Sequence, residues 1–209
     1  MPGRVIAIDG PAASGKSSVS RGVSSALRFF FLSSGHLYRT LAWGVVRSGI
    51  PVEDFENWIK GHRLTVQEEG LQFIAVLDGE DATPHLSDPE VAAMVSKLAA
   101  IPVTREIVNA TMRLIAEKDD LVIEGRDIGS VVFPETPWKF YLDASPEERA
   151  RRRAKEGFID SVAERDRLDS TRATAPLKVP EGATVIDTTH LDLQQVITAV
   201  LSHLKELTP

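Results

Sequence analysis

The sequence predicts an α/β fold, with a five-stranded parallel sheet flanked by helices in a single chain of 209 residues. Three observations point to it. The β-branched run Val5–Ile8 leads directly into a glycine-rich loop and then an amphipathic segment, the order strand, turn, helix. Short apolar runs recur along the chain, separated by stretches long enough for right-handed crossover helices. The composition, 43% hydrophobic and 26% charged, is that of a globular domain able to bury a substantial core.

The elements follow in order. Val5–Ile8 reads as a strand buried on both faces. Ser18 to Leu27 reads as a helix, with Val19, Val23, Ala26 and Leu27 on one apolar face. Further core strands are expected at Phe29–Leu32, Leu121–Ile123, Lys139–Leu142 and Thr184–Ile186. Leu64–Val66 and Leu71–Leu77 flank Glu69-Gly70 and read as a small antiparallel hairpin. A last helix, Leu191 to Leu207, carries Leu193, Val196, Ile197, Val200, Leu201 and Leu204 toward the core. No internal repeat or low-complexity stretch interrupts this plan.

Several function classes fall away. There is no cysteine, which excludes a disulfide scaffold, a thiolate zinc site and a cysteine nucleophile, and fits a cytoplasmic setting. No apolar run approaches the roughly 18 residues of a membrane span, and the N-terminus reads as a strand and not a signal peptide. A net charge of -6 argues against nucleic-acid coating. Yet arginine outnumbers lysine 16 to 8, and seven arginines fall between Arg149 and Arg172. Planar guanidinium groups clustered in an acidic chain point to a small phosphate-bearing ligand.

Gly10-Pro11-Ala12-Ala13-Ser14-Gly15-Lys16-Ser17 fits G-x-x-x-x-G-K-[ST] at every fixed position. Gly10 and Gly15 let successive backbone N–H groups converge on phosphate oxygens, and the following helix points its positive end at the same anion. Lys16 reaches the β- and γ-phosphates, and the Ser17 hydroxyl is the candidate ligand for Mg²⁺. The loop from Gly10 to Ser18 is thus a nucleoside-triphosphate site. No N-K-x-D guanine reader accompanies it. Lys139–Asp143 ends in an acid, but Asp143 reads best as the cap of a helix beginning near Pro146. Leu121–Ile123 runs into Glu124-Gly125-Arg126-Asp127, and at the carboxyl end of a parallel strand Arg126 and Asp127 should face the ligand crevice.

With these residues in view the chain resembles the bacterial cytidylate kinases. The resemblance rests on Ile8–Ser17, Leu32–Arg39, Ala99–Glu106, Glu124–Pro134, Ser145–Arg153 and Glu164–Leu177, which run in family order along nearly the whole chain. It implies a nucleoside-monophosphate-kinase fold in three parts. The P-loop core spans 1–34, 119–148 and 183–209, a monophosphate-binding region with the small antiparallel insertion spans 35–118, and a lid spans 149–182. The implied reaction moves the γ-phosphoryl group of ATP, with Mg²⁺, to CMP or dCMP. A related kinase for UMP or AMP, or a nucleotide-binding protein with a vestigial site, remains the alternative. A monomer without nucleic-acid or membrane partners is implied as well.

The same resemblance assigns roles. Lys16 and the loop hold ATP, and Arg39, Arg126 and Arg172 surround the monophosphate, where three guanidiniums can stabilise a dianion and the charge of the transition state. Asp169 and Ser34 contact the sugar. Ser96, Arg105 and Asp127 read cytosine: an acid accepts from N4, and an arginine serves N3 and O2. Taken singly, Ser96 could be a surface serine, Arg105 a solvated helix start and Asp169 a cap. Arg149 and Arg165 are the expected further contacts to ATP or the transferred phosphoryl, while the bland reading of Arg149–Arg153 is a solvated basic face paired with Glu147 and Glu148.

Some positions depart from the family pattern. The lid segment between Arg153 and Arg165 is shorter than usual. Ser33 stands where an aspartate is common, so a metal-shell role there is in doubt. His36 replaces a small or apolar residue and reads either as a surface side chain, the favoured reading, or as a contact to the substrate phosphate. Arg28 stands where a glycine commonly ends the first helix. His62, His85, His190 and His203 are scattered and read as structural.

Overall fold

A computed structural model of the chain describes residues 2–155 and 177–205. Its centre is a mostly parallel sheet with helices on both faces. Strand β1 (Val5–Asp9) pairs in parallel with β6 (Leu121–Gly125) on one side and β7 (Trp138–Asp143) on the other. Outside these lie β2 (Phe30–Ser33) against β6, and β8 (Thr184–Asp187) against β7. The five expected parallel strands are therefore present, each within a residue or two of its predicted bounds.

The expected hairpin forms from β3 (Leu64–Glu69) and β4 (Gln72–Leu77), but it is not detached from the core. Strand β4 continues the main sheet through the pairing of Phe31 with Gln72, and the Phe31 N–H donates to Leu71 O at 2.9 Å. A two-residue β5 (Glu80–Asp81) pairs with β4 in turn. Among the described residues the sheet thus has eight strands, in the order β3-β4-β2-β6-β1-β7-β8 with β5 beside β4.

Alternation along the central strands builds two cores. Val5 and Ala7 of β1, with Leu121 and Ile123 of β6, face one side. There they meet α2 (Ser34–Ser48), the single turn α3 (Phe55–Trp58), α4 (Pro89–Ala99) and α5 (Pro102–Ala116). Ile6, Ile8 and Val122 face the other side, against α1 (Lys16–Leu27) and α7 (Leu193–Ser202). The last helix starts later than Leu191 because Asp192 and Gln195 form a reciprocal capping box that sets its first turn. Helix α6 (Pro146–Lys155) follows β7. Its cap is Ser145 and not Asp143: Glu148 N–H donates to Ser145 Oγ at 3.2 Å, while Asp143 accepts from Ala144 N–H. The segment expected to form most of the lid, 156–176, lies outside the described residues.

Candidate active site

The carboxyl ends of β1, β2 and β6 open into one cleft, walled by the loop before α1 and by the starts of α2 and α5. Gly10 makes the loop possible. Its φ is +149°, and a Cβ there would stand 2.0 Å from Leu142 O. Ala13 and Gly15 are also left-handed, with φ of 57° and 90°, so the backbone curls around an anion-sized hollow. Helix α1 begins without a side-chain cap at Gly15, leaving its first N–H groups directed at that hollow. Lys16 is buried, and its Nζ donates to Pro11 O at 2.7 Å across the turn.

Of the residues expected to hold ATP, Ala12, Ala13, Gly15, Lys16, Ser17 and Ser18 line the cleft. Gly10, Pro11 and Ser14 form the buried back of the loop. Arg149 is buried behind it, donating from Nε to Ala144 O at 3.0 Å and from Nη1 to Ala12 O at 3.3 Å. That position props the loop from below, and Arg149 does not line the cleft. Arg153, one helical turn further on, does. Arg149 and Arg153 are both buried, so the solvated-face reading holds only for the other side of α6, where Glu148 accepts from Arg151 and Arg152.

Residues expected to take the monophosphate converge from four elements. Ser34 and Arg39 come from α2, Ser96 from α4, Arg105 from α5, and Arg126 and Asp127 from the end of β6. Arg39 donates from Nη1 to Leu86 O at 2.6 Å, which helps orient its guanidinium. Arg105 and Asp127 form a buried ion pair. Gly125 permits the convergence, because a Cβ there would stand 2.6 Å from Ser34 Oγ. Arg165, Asp169 and Arg172 lie outside the described residues.

Sequence reasoning gave no role to two acids and left a histidine between two readings. Asp9 is fully buried at the end of β1 and accepts from Ile128 N–H at 2.8 Å and Gly129 N–H at 2.7 Å. Burial lifts its carboxyl to about 6, against the pull of those donors. It thereby anchors the π-helical turn Ile128–Val132 directly after Arg126 and Asp127. Glu124 is buried and accepts from the Ser33 hydroxyl. Burial alone would raise its carboxyl, but Lys16, Ser33, Arg126 and His36 together hold it below the usual carboxylate range. His36 is half-buried in the cleft wall, which favours the phosphate-contact reading over the surface one. Its spacing of three from Arg39 on a helix was the available signal. The cleft therefore gathers Lys16, Arg39, Arg105, Arg126 and Arg153 around two carboxylates, a cationic basin in an acidic chain.

Known proteins resemble this chain over nearly its full length. The family profile described as cytidylate kinase matches residues 6–206. A cytidylate kinase of Thermus thermophilus is 42% identical over 213 residues, covering 96% of this chain and 98% of that protein. Another, from Caldanaerobacter subterraneus subsp. tengcongensis, is 39% identical over 215 residues, covering 97% and 95%. Among solved structures, TT1252 from Thermus thermophilus superposes with a TM-score of 0.51 at 21% identity over 98% of this chain and 99% of that one, a likeness of fold alone. A match that runs from the first strand past the last helix, backed by relatives similar along almost their whole length, makes this chain a member of the cytidylate kinase family.

Proposed function

We propose that the chain transfers the γ-phosphoryl group of ATP to CMP or dCMP, giving ADP and CDP or dCDP. The observation that carries this reading is one cleft holding both half-sites: the Gly10–Ser18 loop with Lys16, and across from it Arg39, Arg126 and the Arg105–Asp127 pair beside Ser96. ATP lies on the loop, its phosphates bound by backbone N–H groups, the helix start and Lys16. Arg39 and Arg126 hold the acceptor phosphate, joined by Arg172 of the lid, and Asp169 and Ser34 take the sugar. Arg153 and Arg165 add positive charge over the transferred group, while Arg149 keeps the loop in shape. No general base is required, because the attacking phosphate oxygen is already ionised near neutral pH, and catalysis is positioning plus electrostatics.

Cytosine presents an amino donor at N4 and acceptors at N3 and O2. Asp127 accepts the first, Arg105 and Ser96 serve the others, and uracil would set a carbonyl oxygen against the Asp127 carboxylate. Mg²⁺ fits the donor set. Among the described residues no group of three His, Asp or Glu forms a metal cage, and the exposed Ser17 hydroxyl offers one hard oxygen beside the phosphate hollow. An ion that keeps its waters and takes substrate phosphates needs little more. When bound, it neutralises charge on the β- and γ-phosphates. We place the protein in the cytoplasm as a monomer, with the 149–182 segment closing over bound nucleotides and 35–118 carrying the monophosphate.

A coupled assay with ATP, Mg²⁺ and CMP, dCMP, UMP or AMP tests this reading. CMP and dCMP should turn over with kcat/KM at least about a hundredfold above UMP, the scale of one lost buried polar pairing. Lys16→Ala should abolish transfer to every acceptor, and Arg105→Met should narrow the gap between CMP and UMP. Equal turnover of UMP and CMP would reject the specificity, and normal turnover by Lys16→Ala would reject the site.

A further inference from the structure

His36 is a titratable side chain of the cleft to which the proposed chemistry gives no task. It stands on the first turn of α2, two residues after Ser34 and three before Arg39, so the helix presents it on the wall that carries Arg39. The charged groups facing it come from three elements. Glu124 approaches from β6, Arg21 from α1 and Arg39 from α2 itself. Glu124 in turn faces Lys16 and Arg126 and accepts from Ser33. Arg21 is partly occupied elsewhere, with Gln72 as partner and its guanidinium 4.2 Å above the Phe31 ring. The imidazole therefore sits between one buried carboxylate and a basin of fixed cations.

We propose that His36 is a proton-dependent cation of the phosphate cleft, neutral when the cleft is empty and protonated when the acceptor phosphate is bound, so that CMP binding takes up a proton at this residue. The inference rests on the proposed function, because the acceptor phosphate is the anion invoked. In the empty cleft, burial first and then Arg21 and Arg39 hold the imidazole below its ordinary value, against the opposing pull of Glu124. A phosphate dianion arriving beside Arg39 reverses that balance by placing two negative charges in a poorly solvated site. The other cations among the described residues of the cleft are lysine and arginine. Among these residues, His36 is the imidazole whose charge can follow the charge of the occupant.

The test is calorimetric titration of CMP into the intact protein at pH 7 in two buffers of different ionisation enthalpy, repeated with His36→Gln. The phosphate of CMP has its own second ionisation near about 6, which releases protons on binding in both proteins alike. The difference between the proteins thus isolates His36. The wild type should take up roughly half a proton more than the variant. In the transfer assay the ratio of KM for CMP, variant over wild type, should approach one at pH 8 and rise to roughly tenfold at pH 6, with KM for ATP unmoved. A merely structural role would give a pH-independent ratio. Histidine NMR on the wild type alone supplies an independent reading: one of the five imidazoles should titrate at higher pH when CMP is added. Equal proton numbers, a flat KM ratio, or no imidazole shifted by CMP would each overturn the proposal. Failure of the wild type to bind CMP at all would instead overturn the proposed function.

Discussion

At the scale of single residues, the most consequential side chain outside the cleft is Asp9. A carboxylate with no solvent contact pays for its charge only partly through two backbone N–H bonds, so its proton is held more tightly in the folded chain than in the unfolded one. The sign of the linkage follows. With an ordinary value of 3.8 and a folded value of about 6, the native state binds more protons between those limits. Stability from this group is fully present below pH 4 and declines as pH rises through 6, by on the order of 3 kcal/mol in total. Asp9→Asn cannot titrate and should lose that slope. Urea melts at pH 4.5 and pH 7.5 should therefore find the substitution more damaging at the lower pH. A cost independent of pH would mean that Asp9 is not buried and strained as described. Depressed carboxylates such as Asp120, held down chiefly by Arg4, impose the opposite slope at more acid pH, and the comparison with the variant cancels them.

At the scale of elements, α1 ends on a residue that its backbone does not favour. Arg28 caps the helix with φ 59° and ψ 34°, its N–H donating to Ser24 O, a left-handed conformation that suits glycine. The side chain is exposed, so little packing is lost on removing it. Arg28→Gly relieves about 1–2 kcal/mol of steric cost and gives back about 0.4–1 kcal/mol as unfolded-chain entropy. The net expectation is a gain of about 0.5–1 kcal/mol, read as a higher urea midpoint at unchanged slope. Arg28→Val, branched at Cβ, should lower the midpoint; if both substitutions lower it, the cap conformation is wrong. Elements differed in how legible they were, for physical reasons. Strand β1 and the following loop announce themselves locally, through a β-branched run and fixed glycines. The attachment of the hairpin does not, because it hangs on the single long-range pairing of Phe31 with Gln72. The start of α7 was misplaced because the Asp192–Gln195 capping box outweighs the apolar Leu191 just before it. The place of Arg153 and the choice between the two readings of His36 stayed open for a shared reason: a helix shows its periodicity in sequence, but which face meets the cleft is decided by packing.

At the scale of the whole molecule, the cleft straddles the two cores. The phosphate loop and α1 belong to the side packed with α7, while Arg39, Ser96 and Arg105 stand on helices of the opposite side. One sheet divides these cores and is shared by both, and it runs on through β2 into β4 and β3, so the region 35–118 has no sheet edge of its own to separate along. Unfolding that region alone would strip β2 of its partner strand and expose the apolar face of β6. A single cooperative thermal transition is therefore expected, even with 35–118 as the region proposed to take the monophosphate. Ligand binding then acts on the whole transition. CMP at a hundred times its Kd stabilises the folded state by about 2.7 kcal/mol. For a chain of this size that moves Tm by roughly 5–10 °C, and an unreactive ATP analogue should add a comparable shift because it grips the other core. Calorimetry with each ligand and with both should show one peak moving intact. Two peaks, with CMP displacing only the lower, would show that residues 35–118 unfold as a unit by themselves and that β4 contributes little to holding them on the sheet.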